Sequence, residues 1–309
     1  MKILFVGHTY TVKVNRDKLY HLSKISGIQL RLITPKIWNE WTKKNRSEAF
    51  ADENIELKTY RTLFNSNEGR YFFTSLSLGL KEFQPDIIHV EQGLDAYSYF
   101  QILLLKKIHK LHAKTVAFTW VNLPYKHRNP VKNFIEKFNM NNTDFIICGN
   151  REAQQILESK KFKGRSCVMP QLGIDPTMYR RKDVTKLKLK MGLNGFTIGY
   201  IGRITYQKGL ATLFLALGTM KKLNWKLLMV GGEDWEKGYK KKLVEIAEKV
   251  GITRRIIWVD TINHDEAPDY FNCMDISVLP SLTLPYWKEQ FGHTIIESMA
   301  CARSSLFSR

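Results

Sequence analysis

Two carboxylates, Glu289 and Glu297, stand seven residues apart in the stretch Glu289-Gln290-Phe291-Gly292-His293-Thr294-Ile295-Ile296-Glu297. The spacing and composition predict an apolar helix opening just after Gly292. A helix N-terminus offers unpaired amides to an anion, and carboxylates accept hydrogen bonds from hydroxyl groups. Together these are the groups a nucleotide sugar needs, amides for its diphosphate and carboxylates for its hydroxyls. A paired acid and base for hydrolysis is the competing chemistry. A merely solvated pair is disfavoured, because Phe291, Ile295 and Ile296 make the surroundings apolar and a carboxylate there needs partners.

A second constellation lies upstream, in Gly199-Tyr200-Ile201-Gly202-Arg203-Ile204-Thr205-Tyr206-Gln207-Lys208-Gly209. A strand ends at Gly202, whose missing side chain lets a ligand approach the backbone. Arg203 can grip phosphate oxygens bidentately, and Lys208 adds a point charge at the mouth of the next helix. A tight turn with two solvated cations would look the same. The segment is no Walker loop, because Gln207 takes the place of the second glycine, and it lacks the GxGxxG dinucleotide fingerprint.

The elements that must position these residues alternate along the whole chain. Strands are predicted over 3–6, 29–33, 86–90, 115–120, 144–148 and 166–169, with helices over 15–25, 71–83, 96–111, 131–141 and 151–160. After a break at Pro170 and a Lys-rich segment, strands follow at 196–201, 226–230, 256–259 and 276–279. Helices near 208–221, 238–250 and 265–272 separate them. This rhythm implies mostly parallel sheets covered on both faces. Gly202, Gly232, Asp260 and Ser281 then fall just past strand C-termini, the edge where open α/β sheets bind ligands.

The chain has 309 residues, enough for two domains, and a net charge of +19. Residues 1–182 hold 30 Lys+Arg against 16 Asp+Glu, leaving 18 against 13 for residues 183–309. The excess in the first half suits an anionic partner. The helix at 97–111 has an apolar body and Lys106, Lys107 and Lys110, so an anionic membrane surface is one such partner. Nucleic acid is not expected, since no helix-turn-helix, zinc or RNP-like signature is present. The four cysteines form no CxxC pair. Two lie in apolar runs, which suits a reducing, cytoplasmic setting at or near the inner membrane leaflet. No apolar run is long enough to span a membrane.

Taken in order, Gly202-Arg203…Lys208-Gly209, Leu227-Leu228-Met229-Val230-Gly231, Met274-Asp275-Ile276-Ser277-Val278-Leu279-Pro280-Ser281 and Glu289…Glu297 resemble the retaining glycosyltransferases of the GT4 family (glycosyl transferases group 1). Pro170-Gln171-Leu172-Gly173-Ile174-Asp175 is similar to the segment where that family's first domain ends. The resemblance implies a GT-B fold of two facing Rossmann-like domains, an acceptor-side domain over 1–182 and a donor domain over 183–309. It implies transfer of a hexose from a nucleotide sugar to a surface glycan or lipid-linked acceptor, with retention. Arg203 and Lys208 would neutralise the diphosphate, Glu289 would act at the transferred sugar, and Glu297 would hold the ribose hydroxyls. Gly202, Gly232, Asp260, Phe291 and Gly292 would complete the donor site. No metal or cofactor is expected beyond the co-substrate.

Three departures from the family pattern stand out. The loop after the first strand reads Gly7-His8-Thr9 instead of carrying a Gly-Gly pair. The histidine expected after a middle strand is replaced by Val121-Asn122, so Gly7, His8 and Asn122 are the acceptor-side candidates. His89 and His127 are further candidates for polar roles. The tail Cys301-Ala302-Arg303-Ser304-Ser305-Leu306-Phe307-Ser308-Arg309 lacks the apolar strand the family places there. The reading therefore expects a truncated second domain, weak stability and doubtful turnover, with a non-catalytic protein that binds nucleotide, glycan or membrane as the alternative.

Overall fold

A computed structural model describes residues 1–39, 44–47, 54–127, 129–233 and 236–308. The chain divides into two compact units, Met1–Pro170 and Gln171–Arg309. The first is built on seven strands: β1 (Lys2–Val6), β2 (Gln29–Pro35), β3 (Ile55–Tyr60), β4 (Ile87–Val90), β5 (Lys114–Thr119), β6 (Phe145–Cys148) and β7 (Arg165–Val168). They lie in the order β7-β6-β5-β4-β1-β2-β3, and every pairing is parallel. Helices cover both faces, so central strands read as unbroken apolar runs. Leu4, Phe5 and Val6 are buried in succession, and one hydrophobic cluster lies on each face.

The longer helices described in this unit are α1 (Asp17–Ser23), α2 (Tyr97–Ile108), α3 (Pro130–Asn141) and α4 (Arg151–Ser159). α3 starts by rule. Asn129 accepts from the amide of Val131 at 2.8 Å, and Pro130 opens the first turn, where no donor is needed. The helix expected over 71–83 does not form; only Leu80–Phe83 is helical, and Phe72–Phe73 is a short strand. The Gln101 side chain takes both the amide and the carbonyl of Phe73, each at 2.8 Å, which pins that backbone in extended form. β3 was not anticipated. It is an edge strand carrying Glu56 and Lys58, and Glu56 pairs with Arg31 of β2 at 2.6 Å.

The second unit holds β8 (Phe196–Ile201), β9 (Trp225–Val230), β10 (Ile256–Val259), β11 (Ile276–Leu279) and β12 (Ser304–Phe307), in the order β10-β9-β8-β11-β12. All pairings are again parallel. Its helices are α5 (Thr185–Lys190), α6 (Leu210–Thr219), α7 (Tyr239–Val250), α8 (Ala267–Cys273) and α9 (His293–Ala300). α6 and α7 pack on one face, and α8 with the half-buried Leu187 of α5 on the other. The tail forms a strand after all. Residues Ser304–Phe307 pair with β11 over four positions, because a parallel ladder is made by backbone amides and needs no apolar run. Leu306 and Phe307 remain exposed along it.

Residues 171–182, expected in the first domain, belong to the second unit. The Lys182 amide donates to Asn272 at 2.9 Å, Asn272 donates to the Arg180 carbonyl at 2.9 Å, and Lys182 pairs with Asp269 at 2.8 Å.

Just past β4, Glu91 is buried between Lys18 at 2.5 Å and His89 at 3.3 Å. Burial alone would raise its carboxyl, but His89 and Lys18 outweigh that and draw it from 4.5 down to about 2. Such a fall is worth roughly 3 kcal/mol. Burial pushes the Lys18 amine below its usual value, which offsets part of that gain. Because the folded carboxyl titrates below the unfolded one, its stabilisation is complete above about pH 4.5 and lost as pH falls toward about 2. Glu91→Gln should therefore cost roughly 2–3 kcal/mol at neutral pH and make the acid-side loss of stability shallower. Urea unfolding at a series of pH values measures both; an unchanged acid limb would disprove the assignment.

Candidate active site

The second unit brings its cations together at the strand edge. Gly202 follows the end of β8, and its amide donates to the Val230 carbonyl at 3.0 Å, while the Ile204 amide donates to Gly232 at 2.9 Å. The Tyr200 hydroxyl donates to the Arg203 carbonyl at 2.6 Å. The loop carrying Arg203 is thus held at both ends. A short 3-10 turn, Tyr206–Lys208, follows and presents Lys208. Arg203, Thr205, Gln207, Lys208, Glu236 and Trp287 line one cavity of about 220 Å³.

Lys208 is the centre of this arrangement. Its Nζ meets Glu289 Oε2 at 2.5 Å and sits 5.3 Å from the centre of the Trp287 ring. Ser281, two residues past β11, donates to the same Glu289 oxygen at 2.8 Å. The ammonium is mostly buried and the carboxylate half-buried, so the pair is partly shielded from solvent screening.

Two glycines make the geometry feasible. Gly209 has φ 67°, and a Cβ there would come within 1.9 Å of the Pro280 carbonyl oxygen. The Leu282 amide also donates to the Gln207 carbonyl at 2.8 Å. Only a residue without a side chain lets the Lys208 turn lie this close to the strand that carries Ser281. Gly292 caps α9 with φ 70°, where a Cβ would meet Ile295 at 2.8 Å.

Glu297 keeps different company. It is buried on α9, and its Oε1 accepts from Tyr179 at 3.1 Å with His293 at 3.9 Å. The Tyr179 hydroxyl also lies 3.3 Å from His264. Burial first, and the Glu297 charge second, push the Tyr179 phenol well above its usual range, so it stays a donor to the carboxylate.

The remaining sequence-predicted residues scatter. Phe291 is half-buried against His293. Gly232 acts through its carbonyl. Asp260 is exposed and only loosely paired with Lys240 at 3.4 Å, apart from the cavity. Trp287, Glu236 and Tyr179 were missed. Trp287 had a signal, an aromatic ring two positions before Glu289. Tyr179 and Glu236 are ordinary in sequence and are recruited by folding alone.

In the first unit Gly7, after β1, packs against Tyr10. His8 is buried on Trp38 with its Nδ1 near Gln92 and its Nε2 3.6 Å from Glu68. Asn122 is buried past β5. A second cavity of about 390 Å³ is lined by Asp95, Thr119, Tyr125, Lys126 and His127, among others. His127 faces Asp95 at 3.5 Å, and Lys132 pairs with Asp95 at 2.7 Å. His89 faces Glu91 instead, beneath this edge.

Residues 182–303 match the family of glycosyl transferases group 1. That stretch contains Arg203, Lys208, Glu289 and Glu297. The chain is 25% identical over 201 residues to an uncharacterized glycosyltransferase of Methanocaldococcus jannaschii, covering 57% of this chain and 46% of that protein. It is 24% identical over 160 residues to a D-inositol 3-phosphate glycosyltransferase of Mycobacterium leprae, covering 50% of this chain and 36% of the relative. It thus spans less than half the length of these curated relatives. Among solved structures, a glycosyltransferase from Rickettsia africae superposes with a TM-score of 0.73 at 18% identity, covering 99% of this chain and 78% of the other. HepE of Anabaena, solved with UDP, gives 0.69 at 18% identity, covering 99% and 80%. These structural likenesses establish the fold as GT-B.

Gly209→Ala should lower stability by roughly 2–4 kcal/mol, since the added methyl strikes backbone. Gly173→Ala, where an added Cβ meets nothing within 4 Å, should leave thermal unfolding unchanged. Equal melting of the two variants would refute the close-approach account.

Proposed function

We propose that this protein is a retaining glycosyltransferase that moves a hexose from a nucleotide-diphosphate sugar to a surface glycan or lipid-linked acceptor on the cytoplasmic side. The observation that carries the reading is Lys208 paired with Glu289 beside Arg203 at one cavity, within a segment matching a glycosyltransferase family. Two cations suit a diphosphate, and HepE, a structural neighbour, has been solved with UDP-glucose as well as UDP.

In the proposed reaction the bond from the anomeric carbon to the diphosphate breaks while the acceptor oxygen bonds to the same face. The acceptor proton passes to an oxygen of the departing phosphate. Arg203 and Lys208 offset the negative charge that grows on that group, which is where preorganised charge accelerates a reaction most. Glu289 accepts hydroxyls of the sugar and stabilises positive charge at the anomeric carbon. Glu297, held by Tyr179, accepts the ribose hydroxyls. Gly202, Gly232, Phe291 and Gly292 shape the donor site through backbone and packing. With two cations at the diphosphate, the reaction is proposed to need no metal. His8 and Asn122, past β1 and β5, together with the Asp95–His127 cavity, are proposed for the acceptor.

The test is calorimetry with UDP, GDP and ADP, followed by release of nucleotide diphosphate from the matching sugar donors. Lys208→Ala should weaken binding of the preferred nucleotide about tenfold to a hundredfold. Glu289→Gln should keep that binding and lose turnover by roughly a hundredfold. EDTA should leave turnover unchanged, and NMR of the product should show the donor's anomeric configuration. Nucleotide binding that ignores Lys208→Ala would overturn the site. Binding without turnover in the unaltered chain would establish a non-catalytic binder instead.

A further inference from the structure

The outer faces of α2 and α3 form one apolar ridge. Phe100, Leu104 and Ile108 recur every four residues on α2. Val131, Phe134 and Phe138 recur at three and four on α3, so each set shares a helix face. Leu104, Ile108, Val131 and Phe134 are 39%, 61%, 53% and 60% exposed. The rings join across the helices. Phe100 lies 6.2 Å from Phe134 and 4.7 Å from Phe138, and Phe134 lies 6.3 Å from Phe138.

The exposed charges on these two helices have one sign. Lys107 reaches over the Phe138 ring at 5.2 Å, and Lys107 and Lys137 are both exposed. The only carboxylate in either helix, Glu136, is buried and paired with Lys160 at 2.9 Å. Lys106, which the sequence placed with the basic edge, turns away to Thr115 at 2.9 Å. Exposed aromatic and aliphatic side chains flanked by cations, with no exposed carboxylate in either helix and the nearby Asp144 paired with Lys114 at 3.0 Å, match the interfacial zone of an anionic bilayer.

We propose that the α2–α3 face docks on an anionic phospholipid bilayer. The same two helices begin at the Asp95–His127 cavity, where Lys132 of α3 bridges to Asp95 ahead of α2. Docking on this face places the mouth of that cavity near the head-group layer, within reach of a lipid-linked acceptor. The docking itself does not rest on the transferase reading, and it is measured without turnover.

The experiment is cosedimentation of the full chain with phosphatidylcholine vesicles, with and without phosphatidylglycerol. Binding is expected only with phosphatidylglycerol and should weaken with salt. Phe134→Ser should reduce partitioning about tenfold. Lys107→Glu with Lys137→Glu should reduce it at least about tenfold, each cation being worth roughly fivefold. Lys241→Glu with Lys242→Glu, the same charge change on the second unit, should leave binding intact. Equal losses in the two double variants would overturn the proposal in favour of bulk charge. So would a dimer that Phe134→Ser dissociates without any vesicle binding, which would assign the face to a second copy of the chain. Circular dichroism confirms that each variant is folded.

Discussion

A mostly buried ammonium must find a partner, and Lys208 finds Glu289 at 2.5 Å. Much of the second unit's upper edge is arranged around that pair. Ser281 supplies a hydrogen bond to the carboxylate and Trp287 a ring face for the ammonium. Gly209 allows the two loops to touch, and the Leu282 amide ties them together. Without close backbone contact the cation would sit in water, where a pair of this kind is worth little. Held as it is, it is charge placed before any ligand arrives, the condition under which electrostatics contribute most to a reaction.

The two glutamates of the seven-residue spacing therefore do different work. Glu289 is tied to the cation of a neighbouring loop, half-exposed at the cavity side. Glu297 is buried on α9 and held by a tyrosine from the segment that opens the unit. A carboxylate with a fixed hydrogen-bond donor keeps its rotamer, which is what selective binding of a diol asks of it. Such unlike surroundings do not suit a symmetric acid and base pair.

The first unit uses the same architecture for other ends. Its strand edge carries Glu91 with Lys18 and His89, and farther along the Asp95–His127–Lys132 cluster. The former is a buried pairing that contributes stability. In the latter, Asp95 and His127 line a cavity, at the start of two helices whose outer faces are apolar and basic. Cys148 and Cys273, one in each unit, are buried as free thiols and pushed up to about 11 by burial, which makes them packing residues and poor nucleophiles.

Sequence alone reached the strand rhythm, the parallel sheets and the cationic loop, because apolar runs closed by glycine are local signals. Arg203, Lys208 and Glu289 stood out for the same reason, each lying near a strand end or a helix start, and Glu297 through its spacing from Glu289. The stretch 71–83 was misread as helix, since the Gln101 side chain that holds Phe73 extended is distant in the chain. The strand at Ser304–Phe307 was missed because its pairing comes from the open edge of β11 and not from its own side chains. Tyr179, Glu236 and the α2–α3 aromatic ridge depend on what folding sets beside them. Local periodicity and turn chemistry thus determined which elements exist and where their reactive ends lie. Tertiary packing decided which partner each charge meets, because burial makes pairing compulsory and only the folded chain determines who is near.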